Sequence, residues 1–466
     1  MSASDVQTWT DTWADLRRSV NGFLIVPAAT IIVCMLLAGC TYFLDRSVTT
    51  RIGGIRELLS ARLFTGDGSI DTLLATLAGG MMTLTSITFS MLLIAVQQSA
   101  GALTTQVLDQ FMRRRLNQFY FGAFVGVSLH VLIVMATVET RATPVFSTLL
   151  ALLLTCSALV LLILLMYTTL NQMRANRIVE AIHDLTLASR ERQYRLLTRT
   201  RRRSLQPSAM VTRRVLSDNN GYVANLHLDL LAKAVGGRDD LEVEFFVSIG
   251  DYVCFHDTIA EIRAGSDAIV ATVEQAVLEA IDLERQRNMH VDPGYGVTQL
   301  ATIGWTSTST ALSNSSPALS CLRSLRDLAA RWSEEQLPAQ AEDSLPVVYR
   351  DRVLERVIDA FESIGVAASE AMQHRCCAEV LNAFSRSYAR LPEELKPRAE
   401  DAVRRMLSSL GDHVLTADVD RALLLLVDVL FEAGRTDTAR EVRTAHARLA
   451  STIGQLHSRG TRVSAG

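Results

Sequence analysis

Four long runs of apolar residues lie in the first third of the 466-residue chain, and short charged segments separate them. A helix needs about 20 mostly apolar residues to cross a hydrocarbon core of about 30 Å. Each run meets that length, and the second exceeds it, so we expect this helix to continue beyond the lipid. The predicted spans cover residues 21–44, 72–96, 116–138 and 144–168.

Arginines near the ends of these runs predict the orientation, because moving them across a membrane is unfavourable. One side of a four-span arrangement holds Arg17, Arg18, Arg113, Arg114, Arg115, Arg174 and Arg177. The other side holds Arg141 and the arginines of the first loop, where the apolar spacing over residues 53–65 predicts an interfacial helix. The bias predicts a multi-pass membrane protein with both termini in the cytoplasm.

The first run has a second interpretation, a lipoprotein signal. Leu37-Ala38-Gly39-Cys40 matches the pattern that is cut before a lipidated cysteine. However, the segment before the run is long and acidic, and the apolar residues continue past Cys40 to Leu44. We therefore expect an uncleaved helix, and both alternatives leave the carboxyl-terminal region in the cytoplasm.

Small and weakly polar residues recur along the second run. At about 100° per residue they fall within about 80° of one another on a helix. This stripe consists of Thr76, Gly79, Thr83, Ser86, Ser90, Gln97 and Thr104. Hydroxyls and amides in lipid seek partners, so the stripe predicts either helix packing, within the bundle or between subunits, or a water-filled pathway. It contains no ionisable residue, which argues against a proton relay.

His130 is the one titratable side chain near the middle of a predicted span. Burying a charged group in a membrane is costly, so such a residue is a candidate for function. A neutral imidazole that is hydrogen-bonded to a facing hydroxyl is the structural alternative.

Several short motifs surround the second and third runs. They are Phe89-Ser90, the segment from Ala95 to Ser99, the turn from Phe111 to Gln118, and G-x-F-x-G from Gly122 to Gly126. Together they resemble the core of a family of predicted bacterial integral membrane proteins known as domain of unknown function 2254. The resemblance extends across most of residues 1–330 and implies the membrane fold, but no reaction.

A strongly basic segment follows the last run. Residues 174–214 contain eleven arginines and three acids, a local charge of +8. A basic helix that leaves the membrane would suit an anionic lipid surface. Nucleic-acid binding is the alternative, but no recognisable nucleic-acid-binding motif accompanies the arginines, and we do not expect it.

After this basic segment, the spacing of apolar residues changes to the alternation that is typical of β-strands. Residues 222–226 are strand-like, and residues 241–262 alternate or run apolar around a turn at Gly250-Asp251. This spacing resembles the hairpins of small lipoyl-type β-barrel modules, but the lysine that those modules modify is missing from the turn. We expect a β-barrel-like module that acts as a scaffold or effector sensor.

A candidate ligand loop follows. Asp292-Pro293-Gly294-Tyr295-Gly296 resembles the D-P-x-F-G element of the family. A Thr/Ser-rich stretch replaces the family's next loop, and Ser313 and Asn314 take its Asn-Asp positions, which puts a shared ligand role in doubt. Asp292, Ser313 and Asn314 are the candidate ligand residues, and an ordinary polar loop that caps helices is the alternative.

The rest of the chain predicts helices. An A-G-R-x-x-x-A turn resembles one helix pair of a tetratricopeptide repeat, but a single copy favours a helical bundle. The complete prediction is a mainly α protein with a transmembrane four-helix bundle (1–173), a cytoplasmic α+β domain (174–335), a helical domain (346–457) beyond a linker, and a disordered tail (458–466).

The sequence predicts no cofactor, metal site or catalytic motif. The seven cysteines form no CxxC pair, and Walker, HExxH and GxSxG motifs are missing. The expected partners are the lipid bilayer, further copies of the chain and an unknown cytoplasmic partner or ligand. We expect a channel or transporter with a cytoplasmic regulatory domain, and a membrane-anchored sensor or scaffold is the alternative. A membrane enzyme would involve His256, Asp257 and Asp292.

Overall fold

The protein forms two compact units, residues 1–174 and 175–466. The computed structural model describes residues 3–46, 69–102, 115–137, 144–172, 175–204, 211–235, 240–309, 315–335, 344–410 and 414–451. The predicted interfacial helix (53–65) and disordered tail (458–466) lie outside these ranges. The predicted fold class, mainly helical with a membrane bundle followed by an α+β region, is confirmed.

Four long helices make up the membrane unit: α1 (Ala3–Arg46), α2 (Ser69–Ala102), α3 (Arg115–Ala136) and α4 (Val145–Gln172). Each contains a stretch that is long and apolar enough to cross a membrane. These stretches are Leu24–Arg46, Ile70–Met91, Arg115–Ala136 and Val145–Thr169. The prediction of four candidate membrane helices is therefore confirmed, and the apolar stretches begin and end close to the predicted spans.

The inner helix of the bundle is α3, which packs against α1, α2 and α4. Its close contact with α1 depends on two glycines four residues apart. A Cβ atom on Gly122 would lie 2.7 Å from the Cα of Pro27, and one on Gly126 would lie 2.9 Å from the Cys34 Sγ. Small residues at this spacing let two helix backbones approach in a membrane. The G-x-F-x-G motif is thus a helix contact.

Asp45 joins the end of α1 to the start of α4. Its carboxylate accepts hydrogen bonds from the Phe146 N–H at 2.9 Å and the Ser147 N–H at 3.0 Å. The Ser147 hydroxyl donates a third bond, at 2.6 Å. The first N–H groups of a helix have no partner within it, so this buried carboxylate caps α4 from a different helix.

The second unit begins with α5 (Ala175–Arg199) and contains two small sheets. The strands are β1 (Val211–Leu216), β2 (Gly221–Leu226), β3 (Leu241–Phe245), β4 (Tyr252–Val253), β5 (Thr258–Ala264), β6 (Ile281–Glu284) and β7 (Val347–Val348). They are ordered β1-β5-β3-β7 and β4-β2-β6, and only β3 and β7 pair in parallel. The described strands close no barrel. Two helices, α6 (Leu228–Val235) and α7 (Asp267–Ala280), complete the core of this region.

Helices make up the rest of the second unit: α8 (Pro293–Ser309), α9 (Ser316–Ser333), α10 (Val353–Glu370), α11 (His374–Tyr388), α12 (Lys396–Ser409), α13 (Ala417–Glu432) and α14 (Thr436–Ser451). Each helix from α8 to α12 packs against the helix two places later in the chain, as α8 does against α10, and this gives a stacked arrangement. Gly434, with φ +74°, forms the predicted turn between α13 and α14. Both α8 and α9 contact α10. The predicted boundary between an α+β domain (174–335) and a helical domain (346–457) stays a prediction.

Candidate functional sites

The polar stripe of α2 faces away from the other helices of the bundle. The predicted members whose side chains the structure describes are all exposed: Thr76, Thr83, Ser86 and Ser90. Gln97 lies in α2, but its side chain is outside the described set, and Thr104 lies outside the described residues. The opposite face of α2 carries Leu74 and Met81, which are completely buried. We call Thr76, Thr83, Ser86 and Ser90 the α2 stripe.

Hydroxyl groups on α2 therefore form two sets. On the packed face, Thr85 and Ser128 of α3 are hydrogen-bonded at 2.8 Å between their hydroxyl oxygens. On the α2 stripe, the Thr76 and Thr83 hydroxyls donate to the carbonyls of Thr72 and Gly79 on their own helix, at 2.7 and 2.9 Å. The inward set joins helices within the bundle. The stripe does not, so packing within one bundle does not explain it.

His130 is completely buried on α3 and faces α1. Its Nδ1 lies 3.1 Å from the backbone carbonyl oxygen of Cys34 and donates to it when Nδ1 carries the proton. The partner is thus a main-chain carbonyl rather than the facing hydroxyl of the structural alternative. Among the residues that the structure describes, no partner reaches its Nε2. The bond reinforces the same α1–α3 contact that Gly126 forms.

Asp292 caps the first turn of α8. Its Oδ1 accepts a hydrogen bond from the Tyr295 N–H at 3.0 Å, and Pro293 occupies the first helical position. Proline suits that position because it lacks an N–H that would need a partner. Asp292 is only 2% exposed. The D-P element is therefore a helix start that is buried inside the second unit.

Two arginines connect Asp292 to the predicted turn at Gly250-Asp251. Arg287 donates from Nε to the Asp292 Oδ2 at 2.8 Å. The Arg356 Nη1 lies 3.7 Å from the Asp292 Oδ1, and its Nη2 donates to the Asp251 Oδ1 at 2.6 Å. We call Asp251, Arg287, Asp292 and Arg356 the Asp292 cluster. Burial raises the pKa of Asp292, although both arginines act to lower it.

Gly250 shows how closely these segments approach. Its φ of +87° lies in the left-handed region, which favours glycine. A Cβ at this position would overlap the Asp292 carboxylate and lie 2.7 Å from the Arg287 Nη2. The cluster thus joins a β-turn, the start of α8 and α10. Arg287 and Arg356 were missed by the sequence analysis, since no local pattern links either one to Asp292.

The other predicted site residues either are not part of the Asp292 cluster or fall outside the described residues. Ser313 and Asn314 are outside the described residues, so the ligand loop stays a prediction. His256 and Asp257 shape the turn after β4: the His256 N–H donates to the Ser217 carbonyl at 2.9 Å, and Asp257 accepts from the Cys254 N–H at 2.7 Å. In the described part of the chain, no group of three His, Cys, Asp or Glu side chains is placed to hold a metal ion.

The basic helix α5 uses several of its arginines inside the second unit. Arg190 is buried and forms ion pairs with Glu335 and Asp351, both at 2.7 Å. Burial acts to lower the pKa of Arg190, but the two carboxylates outweigh it and raise the pKa. Arg192 donates to the His290 carbonyl at 2.6 Å. These arginines bind the protein itself, so the positive charge of the segment is only partly available to a lipid surface.

A comparison with family models identifies the chain. The model described as predicted membrane protein (DUF2254) matches residues 21–376, which is most of the chain. The protein belongs to the DUF2254 family. The matched region of this DUF2254 protein contains all four spans, the α2 stripe, His130 and the Asp292 cluster. No match was found among curated proteins or solved structures.

Proposed function

We propose that this DUF2254 protein is a homo-oligomeric channel or transporter of the bacterial inner membrane, with the α2 stripe along a pathway between copies. The exposure of the stripe carries this proposal. Polar and small groups on the outer surface of a membrane bundle suit contact with another protein surface or with water, because lipid tails offer them no partners.

Large apolar side chains form much of the remaining outer surface, on α2 beside the stripe (Met82 and Ile87) as well as on the other helices. The exposed side chains of α1 and α4 include Ile25, Leu36, Leu153 and Ile163, which suit contact with lipid. On α2, a Cβ at Gly79 or Gly80 would have nothing within 4 Å, so the surface there is open. A second copy could approach α2 closely at these glycines, and the neighbouring hydroxyls would then lie near the contact between copies.

A pathway along the stripe would be neutral. Its described members offer hydroxyl groups and no charge. Selection among solutes would therefore depend on the width of the pore and on how well its hydroxyl groups replace the water around a solute. It would not depend on a ring of charges. The second unit would act as the regulatory domain on the cytoplasmic side.

Blocking the stripe with leucine tests transport. We expect purified protein in liposomes to carry an ion flux that falls to background in the double variant Ser86→Leu, Ser90→Leu, because the bulkier leucine side chains narrow the pathway and make it too apolar to hold water. The matched control is Ser157→Leu. Ser157 is also exposed, on α4, and its hydroxyl also bonds within its own helix, to the Leu153 carbonyl at 2.8 Å.

The two leucine variants separate the proposal from its alternative. Flux that survives in the Ser86→Leu, Ser90→Leu protein, or that is lost equally in Ser157→Leu, would contradict a pathway along α2. If the wild type forms oligomers but carries no flux for several ions and voltages, the membrane-anchored sensor or scaffold becomes the better explanation. Mass measurement in lipid nanodiscs gives the number of copies independently of flux.

The thiol of Cys254 offers a test of the predicted orientation. Cys254 is exposed in the second unit, whereas Cys321, Cys376 and Cys377 are buried. Burial raises the pKa of Cys376 to about 11 and that of Cys377 to about 12, so little reactive thiolate is present at neutral pH. We expect a membrane-impermeant maleimide to label Cys254 in inside-out vesicles but not in intact spheroplasts.

A Cys254→Ser variant is the control for this labelling, because it should lose the fast signal in inside-out vesicles. Fast labelling of the wild type in intact spheroplasts, absent from Cys254→Ser, would place the second unit outside the cytoplasm. That result would reverse the orientation that the arginines predict.

A further inference from the structure

A cleft of about 880 Å³ lies within the second unit. Its walls come from the end of α5 and the residues after it, the end of α9, the segment that follows β7, and the loop before α12. Pockets that bind small molecules have volumes of about 300–1,000 Å³. The cleft is therefore large enough for a metabolite.

Three buried polar atoms on residues that line the cleft have no hydrogen-bond partner among the described residues. They are the Arg190 Nη1, the Arg201 Nε and the Ser333 Oγ. A buried donor without a partner costs stability, so such atoms point to a missing partner. All three can donate. A ligand that satisfies them must therefore supply acceptors.

Five carboxylates line the cleft, and the arginine partners of four of them, all except Glu355, are described. Glu335 and Asp351 both bind Arg190, at 2.7 Å. Glu244 binds Arg350 at 2.9 Å, and Glu394 lies at the rim.

The rim adds further positive charge. Arg202 and Arg203 follow Arg201 directly and are exposed, and Arg203 pairs with Glu394 at 2.6 Å. Guanidinium groups recognise phosphate oxygens through paired N–H donors, more specifically than a lysine ammonium does. The arginine run thus lies where an incoming anion would first meet the protein.

We propose that this cleft binds an organic phosphate of about mononucleotide size. A terminal phosphate has three oxygens that can accept hydrogen bonds from guanidinium and hydroxyl groups, whereas a carboxylate has two. The half-buried side chains of Leu354, Pro392 and Leu395 provide an apolar wall for the organic part of the ligand. This binding function goes beyond the proposed transport and does not depend on it.

Calorimetric titration of the full-length protein in detergent tests the proposal, with AMP as the probe and adenosine as its phosphate-free counterpart. We expect AMP to bind and to raise the melting temperature, because a ligand that binds only the folded state stabilises it. Adenosine should do neither, and inorganic phosphate should compete with AMP. Equal binding of AMP and adenosine, or no binding of AMP up to millimolar concentrations, would overturn the proposal.

Two variants locate the binding within the cleft. Ser333→Ala removes a hydroxyl that has no described partner, and Arg201→Gln removes one guanidinium. We expect each to weaken AMP binding by about tenfold, the usual effect of losing one bond to a charged group. Ser333→Ala should leave the melting temperature of the ligand-free protein unchanged, which separates lost binding from misfolding.

Arg323→Gln is the control for charge. Arg323 is exposed on α9, the helix that carries Ser333, and this substitution changes the net charge as Arg201→Gln does. We expect Arg323→Gln to bind AMP like the wild type. If both arginine variants lose the same affinity, AMP responds to overall charge and the cleft is not its site.

Discussion

The Asp292→Ala variant is expected to melt about 10 °C below the wild type. The substitution removes the cap of α8 and leaves Arg287 and Arg356 without the carboxylate that they share. Removing one partner of a buried ion pair lowers the free energy of unfolding by about 3–5 kcal/mol. At about 2–4 °C per kcal/mol for a domain of this size class, the loss corresponds to the stated shift.

Tryptophan fluorescence can follow this unfolding. Trp305 and Trp332 lie in α8 and α9, so they report on the second unit once Trp9 and Trp13 are replaced by phenylalanine in every protein compared. Thr416→Ala is the matched control. The Thr416 hydroxyl accepts from the Val419 N–H at the start of α13, and it takes part in the cap alone.

The control separates the two contributions of Asp292. Losing a helix cap costs about 1 kcal/mol, so Thr416→Ala should lower the melting temperature by only a few degrees. If Asp292→Ala causes no larger shift than Thr416→Ala, the arginines do not depend on Asp292. The cluster would then not hold the turn at Gly250, α8 and α10 together.

The membrane fold could be predicted because its signals are local. A run of about 20 apolar residues identifies a span without knowledge of any other part of the chain. The stripe followed from periodicity within one helix, which places Thr76, Thr83 and Ser90 on one side whatever their neighbours are. The sequence alone could not show in which direction that side faces, because this depends on which face of α2 is covered by the inner helix α3.

The candidate sites of the second unit were harder to predict for the same reason. Asp292 was found through a short motif, but its burial and its arginine partners depend on long-range packing. Arg190 appeared as one member of a basic run, and only the fold shows that it lies buried between Glu335 and Asp351. Ion pairs between distant segments leave no periodic pattern in a single sequence.

The membrane unit offers an equally sharp test at Gly122. Gly122→Ala is expected to destabilise the bundle by about 3 kcal/mol, the upper end of the usual cost of overpacking. The new Cβ would lie 2.7 Å from the Cα and 2.9 Å from the carbonyl oxygen of Pro27, and backbone atoms cannot move aside without shifting α1. Size-exclusion chromatography of heated, detergent-solubilised protein measures the loss.

Gly126→Ala should behave differently, because its new Cβ meets the Cys34 side chain, with Sγ at 2.9 Å. Adding Cys34→Ala should therefore restore part of its stability, whereas it should not rescue Gly122→Ala. Gly80→Ala is the control, since a Cβ there has nothing within 4 Å and alanine favours a helix. If Gly122→Ala is as stable as Gly80→Ala, then α1 and α3 do not meet at Gly122. The close α1–α3 contact that makes α3 the inner helix of the bundle would then have to be abandoned.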